Sequence, residues 1–457
     1  MRIAFDLQGA QNGSKDRGIG RYVSAFSRAL INNRGEHEII LILNALFPNN
    51  CTSVREAFEP LPQHCSFAVF HGIGPTCEHD DSNHWRLQVS ELMYRKFVAD
   101  LSVDVLITGS AIEGFHDNTV TDVGTAPVNA AILYDLIPLI NPDDHLRTDE
   151  ARRWYSRRVG QLKETDILLA ISESSRQEAI AHLAVPATRI VNIRGAASSD
   201  FLNLDLDDRR TNPIFFDLLK RCKINRPYLM HTSAFDKRKN FDGLIRAYAA
   251  LPQAIRNAYQ LLLVCKITDK DRSLMRQLVS SLGLAEDDVI FPGHVSDDNL
   301  ITFYANCALF VFPSFHEGFG LPILEAMHCG APVIGSNVSS VPEVIGNDRA
   351  LFDPTSIADI ANSLERVLSD PAELGEFKRH SAMQAKAFDW DTTARIALQA
   401  IEEVAHGKIS SPRMSIALAD VISAISQIDR PAQWDQRQLA GVAIALAKNE
   451  EVAARFQ

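Results

Sequence analysis

No C-x-x-C pair occurs in the sequence. Its seven cysteines (Cys51, Cys65, Cys77, Cys222, Cys265, Cys307 and Cys329) form an odd, scattered set, which fits reduced thiols rather than a disulfide framework. No apolar run approaches the ~20 residues of a membrane span, and the opening MRIAFDLQG lacks the basic, apolar and small-residue succession of a secretory signal. Positive charge is not in excess either: 46 Lys and Arg face 57 Asp and Glu, a net charge of −11. A nucleic-acid partner is therefore disfavoured, because phosphate-backbone binding draws on a basic surface. The segment with Cys51, His64, Cys65, His71, Cys77, His79 and His84 matches no zinc spacing, so no metal is expected from it. No repeat of solenoid type is visible.

What is present is ordinary for a soluble globular chain: 46% hydrophobic and 23% charged residues over 457 positions, a length that suits two or three domains. Apolar runs at Arg2–Leu7, Glu38–Leu43, Phe67–Phe70, Val103–Thr108, Val128–Leu133 and Ile167–Ile171 read as strands. Helical patterns fall between them, at Ile19–Asn33, Trp85–Asp100 and an Arg-rich stretch near 147–164, and Ser172 caps another to about His182. The region between Leu43 and Phe67 reads as irregular. This alternation predicts a doubly wound α/β arrangement. The polar stretch Ser198–Asn212 interrupts it, and Asp205-Leu206-Asp207 within it reads as linker rather than as a metal-binding D-x-D. Strand–helix alternation restarts at Pro227–Thr232 and continues through Leu261–Cys265, Val289–Phe291 and Ala308–Phe312. Phe388-Asp389-Trp390 opens a helix to about Val404, His406–Pro412 reads as a linker, and two amphipathic helices follow near 414–428 and 431–455. Their apolar faces must be covered, by the two domains, a second copy or a further domain of a longer protein, with association the favoured expectation.

One stretch concentrates the chemistry: FVFPSFHEGFGLPILEAMHCGAPVIGSNVSSVPEVIGNDRALFD, from Phe310 to Asp353. A buried strand ends at Pro313, a Gly-rich loop carries Glu317, Pro322 stands at a helix start and Gly330 at its C-cap. A second strand (Pro332–Ile334) and a Ser-rich loop complete the unit. Gly318 and Gly320 let backbone N–H groups approach a ligand, and the helix dipole favours an anion there. Two carboxylates, Glu317 and Glu325, stand eight positions apart. N–H donors for phosphate and acids for hydroxyls suit a sugar joined to a diphosphate. The plainer reading is a helix start with favourable acids near its first turn.

The run E-G-F-G-L-P-x-x-E-A-M-x-x-G-x-P-V-I, unbroken from Glu317 to Ile334, resembles the E-x7-E signature of retaining glycosyltransferases of family 4. That resemblance implies the GT-B fold: two Rossmann-like doubly wound domains facing a cleft, here with a C-terminal helical extension. The implied domains are an acceptor-side N-terminal domain over 1–200, completed by a crossing helix at 388–405 anchored by Trp390, a nucleotide-sugar donor domain over 213–387, and the extension at 408–457. It also implies roles. Glu317 would contact the transferred sugar, the amides of Gly318, Phe319, Gly320 and Leu321 would hold sugar and diphosphate, and Glu325 would bind the ribose.

Cleaving a glycosyl–diphosphate bond leaves negative charge growing on the phosphate, so the site needs fixed cations or N–H donors. The block Ser233-Ala234-Phe235-Asp236-Lys237-Arg238-Lys239-Asn240 follows a strand and opens a helix. It resembles the family's phosphate-binding block, which makes Lys239 the diphosphate ligand. Relatives often carry Gly-Arg where Ser233-Ala234 stands here, so Arg238 is expected to replace the missing cation. Arg17-Gly18-Ile19-Gly20-Arg21-Tyr22 lacks the third glycine of a dinucleotide fingerprint, which weakens a dehydrogenase reading. The resemblance brings Gly20 near diphosphate and acceptor. Asp135, in Tyr134-Asp135-Leu136-Ile137-Pro138, keeps an acidic position where His-Asp is common and would orient the acceptor hydroxyl. Arg194-Gly195 replaces the usual Asn-Gly. His294 is expected beside the nucleotide base. Arg152, Arg153, Arg157 and Arg158 read as a solvated helix face, with an anionic lipid acceptor as the sharper alternative.

The sequence therefore points to a retaining, metal-independent glycosyltransferase without a cofactor, taking a nucleotide-sugar donor. GDP-mannose is the first candidate donor, though no residue defines the base pocket. A surface polysaccharide or lipopolysaccharide chain is the implied acceptor, and the expected place is the cytoplasm, at most peripheral to the inner membrane face. The rival is a non-catalytic nucleotide-sugar-binding scaffold of a polysaccharide-synthesis complex. Intact Glu317, Glu325 and Lys239 speak against it; Ala234 and Tyr134 speak for it.

Overall fold

The computed structural model describes the chain except residues 16, 122, 203, 207–212, 409–414 and 430–435, and the side chain of residue 214. The D-x-D look-alike therefore ends outside the described residues at 207, as do most of the expected 406–412 linker and the expected tail-helix starts at 414 and 431. The chain divides into two units: residues 1–194 with 390–457, and residues 195–389.

Unit one holds seven parallel strands: β1 (Arg2–Asp6), β2 (Glu38–Asn44), β3 (Cys65–Phe70), β4 (Val105–Thr108), β5 (Val128–Leu133), β6 (Ile167–Ala170) and β7 (Ile190–Asn192). Their order is β3-β2-β1-β4-β5-β6-β7, so the winding reverses between β1 and β4. Helices cover both faces, which is why Ile39–Leu43 of β2 is continuously apolar and fully buried instead of alternating. The helices that matter below are α1 (Gly18–Asn32), α2 (His84–Asp100) and α3 (Asp149–Glu164), the last capped by the Thr148 side chain accepting from Ala151 N–H. Three residues of β7 escaped the sequence reading, being too short for a period. Pro48–Phe58, expected as irregular, is a helix: Pro48 stands in its first turn, where a missing N–H costs nothing.

Unit two holds six parallel strands: β8 (Tyr228–Thr232), β9 (Gln260–Val264), β10 (Val289–Gly293), β11 (Leu309–Phe312), β12 (Val333–Ser336) and the two-residue β13 (Leu351–Phe352). The order β10-β9-β8-β11-β12-β13 again reverses beside its first strand, between β8 and β11. In open sheets of this kind ligands bind beyond the strand C-termini at the reversal. Two helices leave that edge, α4 (Phe241–Ala250) and α5 (Leu321–His328).

The chain then returns to unit one as α6 (Trp390–Lys408), which lies along α1. Trp390 meets Tyr22 edge to face at 4.8 Å, and His37 Nε2 reaches Glu402 at 2.8 Å. Because α6 runs to Lys408, helix occupies the start of the expected linker. The tail helices α7 (Leu418–Ser426) and α8 (Gln436–Ala453) pack on unit one. Val421, Ile425, Val442, Ala445, Leu446 and Ala453 enter one core with Trp85, Val89, Met93 and Phe97 of α2. The Asn449 side chain also accepts from His71 N–H at 2.8 Å and donates to His71 carbonyl at 3.0 Å, tying α8 to the end of β3. Part of their apolar surface is thus covered within unit one, while Ile422, Leu439 and Ile444 stay exposed. Among the described residues no helix is long and apolar enough to cross a membrane.

Candidate active site

In unit two the loops after β8 and β11, neighbouring strands at the reversal, bring together the two sequence blocks expected to bind a diphosphate sugar. The Lys237–Lys239 segment is a single 3₁₀ turn, capped by Asp236 accepting from Arg238 N–H at 2.8 Å. Asn240 follows at φ +57° and is a strut: its amide donates to the carbonyls of Pro313 (3.1 Å) and Pro354 (2.9 Å). Phe315 N–H donates to Arg238 carbonyl at 2.8 Å, so the two loops share backbone as well.

Glu317 stands between the cations. Lys239 Nζ lies 2.6 Å from Oε1 and an Arg238 terminal nitrogen 3.2 Å from Oε2, with all three side chains largely out of solvent. Burial alone would raise the Glu317 carboxyl, but the Lys239 ammonium and Arg238 guanidinium outweigh it and hold the group below the usual carboxylate range. Two cations against one acid leave a local excess of one positive charge at the end of a strand and beside a helix start. Adjacent though they are, the two long side chains converge on Glu317, one on each carboxylate oxygen.

The loop is clamped from below by two serines that the sequence marked only as a Ser-rich loop. Ser339 Oγ accepts from Glu317 N–H at 2.9 Å, and Ser340 Oγ lies 3.1 Å from Glu317 carbonyl and 2.8 Å from Phe319 carbonyl. Gly320 then takes φ +109° as the N-cap of α5, a conformation that strains any side chain. Gly318, Phe319, Gly320 and Leu321 therefore lead straight into the N–H-rich end of α5. Glu325 is one turn further in than expected, on the second turn rather than the first. It is buried and accepts from the Tyr304 hydroxyl at 3.1 Å, so a ribose hydroxyl would compete with that tyrosine.

A residue the sequence reading missed underlies the cations. His231, fully buried in β8, donates through Nδ1 to Val311 carbonyl (3.0 Å) and accepts through Nε2 from the Ser233 hydroxyl (3.0 Å). Burial, reinforced by Lys239, pushes its imidazole down to about 3. It stays neutral and anchors Ser233. The apolar alternation of β8 hid it, since a lone histidine in a strand reads as filler.

His294 is exposed after β10, which β9 separates from β8; it is not brought against the Glu317 cluster. In unit one, Gly20 is buried, and a Cβ there would lie 2.3 Å from Lys15 Cα, so its own preceding loop demands glycine whatever binds nearby. Asp135 follows β5 and accepts from Ile137 N–H at 3.1 Å, closing a turn. The Arg-rich helix is not a uniform solvated face. Arg152 and Arg153 are exposed, but Arg157 pairs with Glu78 and Glu91, and Arg158 is fully buried, donating to the Thr121 hydroxyl at 2.7 Å.

Residues 220–388 match the family described as Glycosyl transferases group 1. A serotype-specific mannosyltransferase WbdA of Escherichia coli is 33% identical over 461 residues, 98% of this chain and 53% of that protein. The chain thus spans about half the length of such relatives. O-antigen chain mannosyltransferase B of Escherichia coli is 34% identical over 255 residues, 56% of this chain and 64% of that protein. Among solved structures, a glycosyltransferase from Rickettsia africae ESF-5 superposes with a TM-score of 0.61 at 15% identity, covering 88% of this chain and 98% of that one. That likeness shows the fold, GT-B.

Proposed function

Since the chain belongs to the glycosyl transferases group 1 family, we propose that it transfers a mannosyl group, with retention of configuration, from a nucleoside diphosphate donor to a growing surface polysaccharide. GDP-mannose is the donor of choice, an O-antigen-type mannan the acceptor, and the cytoplasm, peripheral to the membrane, the place. The mannosyl assignment rests on the activities for which the WbdA and O-antigen relatives are named.

The observation that carries the reading is the buried Glu317–Lys239–Arg238 cluster in front of α5. Glu317, held ionised, accepts hydroxyls of the transferred sugar in charge-assisted hydrogen bonds. As the glycosyl–phosphate bond lengthens, charge grows on the leaving oxygen. Lys239, Arg238 and the N–H groups of the Gly318–Leu321 loop are already fixed around it, so little reorganisation opposes the step. Retention places the incoming hydroxyl on the face the leaving phosphate vacates, and the phosphate itself can take the acceptor proton.

A panel of nucleotide sugars, each incubated with and without a mannan oligosaccharide, tests the assignment by release of free nucleotide and by the anomeric configuration of the product. GDP-mannose should be turned over, with an acceptor-dependent α-linked product. Turnover of a different donor alone would contradict the mannosyl reading.

A further inference from the structure

The inner faces of α7 and α8 pack on α2, yet apolar side chains also face outward. Of the eight large apolar side chains exposed among the described residues, three are Ile422 of α7 and Leu439 and Ile444 of α8. Ile444 is 57% exposed and stands near the middle of α8. Arg437, Ala440, Ala447, Lys448 and Glu451 lie three, four or seven residues from it, so they share its face, and all are exposed. From Ala440 to Ala447 that face carries no charge.

The ends of α8 are charged in the sense opposite to its dipole. Its first turn has Arg437 and no acid, and its last turn has Glu450 and Glu451 and no base. Each placement is unfavourable within the helix itself, whose N-terminus is positive and C-terminus negative. By contrast α3 follows the dipole, with Asp149 and Glu150 in its first turn and Lys163 in its last. Glu450 is answered within unit one by Lys96, 4.0 Å away. Glu451 is three-quarters exposed, with Arg455 of the following turn 3.5 Å away.

A basic start, an apolar centre and an acidic end are complementary to their own reverse. Arg437 and Glu451 stand seven residues on either side of Ile444. A second α8 laid antiparallel, with a twofold axis at Ile444, brings Arg437 of each copy against Glu451 of the other. Ile444 then meets Ile444, the small Ala440 and Ala447 permit close approach, and the Lys448 stem lies over Ala440 of the second copy. The acidic end of one helix also comes beside the positive N-terminus of the other, which offsets the reversed charges.

We propose that the protein forms a twofold-symmetric dimer through the outer face of α8, with Ile444 on the axis and Arg437 paired with Glu451 of the second copy. This is the isologous arrangement of a closed homodimer. The helix has 18 residues, so it is about 27 Å long. A contact of that size is small, and a Kd on the order of micromolar is expected. The inference stands apart from the transferase reading.

Sedimentation of the whole protein over a concentration series around that Kd tests it. The wild type should pass from monomer to dimer, and Ile444→Arg should stay monomeric throughout. Arg437→Glu and Glu451→Arg should each weaken the dimer at least about tenfold, since two symmetric pairs turn from attraction to repulsion. Combining the two substitutions should return most of the affinity, which a mere loss of local structure could not do. Circular dichroism and an unchanged calorimetric affinity for GDP verify that each variant is folded. A wild type monomeric at every concentration overturns the proposal and leaves the face to a different protein. A dimer that Ile444→Arg leaves intact, or single exchanges that the double exchange fails to rescue, overturns it equally.

Discussion

Lys239 Nζ lies 2.6 Å from Glu317 Oε1, and both residues are less than a tenth exposed. With Arg238 on the other oxygen, one acid serves two cations before any donor arrives. Removing Glu317 therefore takes the carboxylate from both, leaving Arg238 only the His316 carbonyl, whereas removing Lys239 leaves Glu317 a partner. Breaking a buried charge pair costs about 3–5 kcal/mol, and a bound nucleoside diphosphate restores negative charge beside the orphaned cations. Glu317→Gln should melt below the wild type and should gain more from added GDP than the wild type does. Equal nucleotide-induced shifts in the two proteins would contradict the cluster as the diphosphate site.

Lys239 and Arg238 should separate kinetically. Lys239, more buried, faces the charge that develops on the leaving phosphate, so Lys239→Ala should lower kcat by at least about tenfold with a smaller change in KM. Arg238 is more exposed and its guanidinium can bridge two phosphates, so Arg238→Ala should weaken GDP binding. Adding Ala234→Arg should restore part of that affinity, which calorimetry would measure. Unchanged affinity in Arg238→Ala would leave Lys239 as the side-chain cation on the diphosphate.

How much of this was legible in the sequence follows from distance along the chain. The Glu317–Leu321 loop, its Gly320 N-cap and the strand before it are local, so their residue types announce them. The strand alternation of both sheets was equally readable, because buried parallel strands are apolar throughout. Pairings made across the fold were not. Nothing local tells that Arg158 is fully buried while Arg153 five positions earlier is exposed, or that Ser340 braces Glu317 from 23 residues away. The tail is the clearest case: its periodicity demanded a covered face but could not say that α2 supplies the cover.

That cover yields a prediction. Without residues 408–457, Trp85, Val89, Met93 and Phe97 would lose the apolar faces of α7 and α8. A chain ending at Gly407 should lose solubility or melt lower, by an amount out of proportion to any change in oligomeric state. Within the full chain, Leu446→Ala should cost about 2–5 kcal/mol, as for other buried leucines, and Asn449→Ala about 1–3 kcal/mol for the two backbone groups of His71 it leaves unpaired. Denaturant unfolding measures both. A truncated chain with unchanged stability and altered mass in solution would favour association instead.

The stability of unit one at neutral and mildly alkaline pH should depend on Glu113. Burial raises its carboxyl to about 7, with Asp117 adding to the effect. A carboxyl raised in the folded state is stabilising while protonated, and that contribution is lost as pH rises through its folded value. Glu113→Gln, which keeps an acceptor for the Ser110 hydroxyl, should therefore be more stable than the wild type by about 1–3 kcal/mol near pH 8. The difference should vanish near pH 5, where the wild-type acid is protonated. Unfolding curves at both pH values test this, and a pH-independent difference would contradict it.

The most direct measurement is the release of GDP from GDP-mannose, with a mannan oligosaccharide present, by the wild type and by folded Glu317→Gln. Losing a charge-assisted bond made to the reacting sugar should lower turnover by at least about tenfold. Acceptor-dependent release by the wild type together with that loss is the predicted result. No release from GDP-mannose by the wild type, or equal rates in the two proteins, would contradict the account.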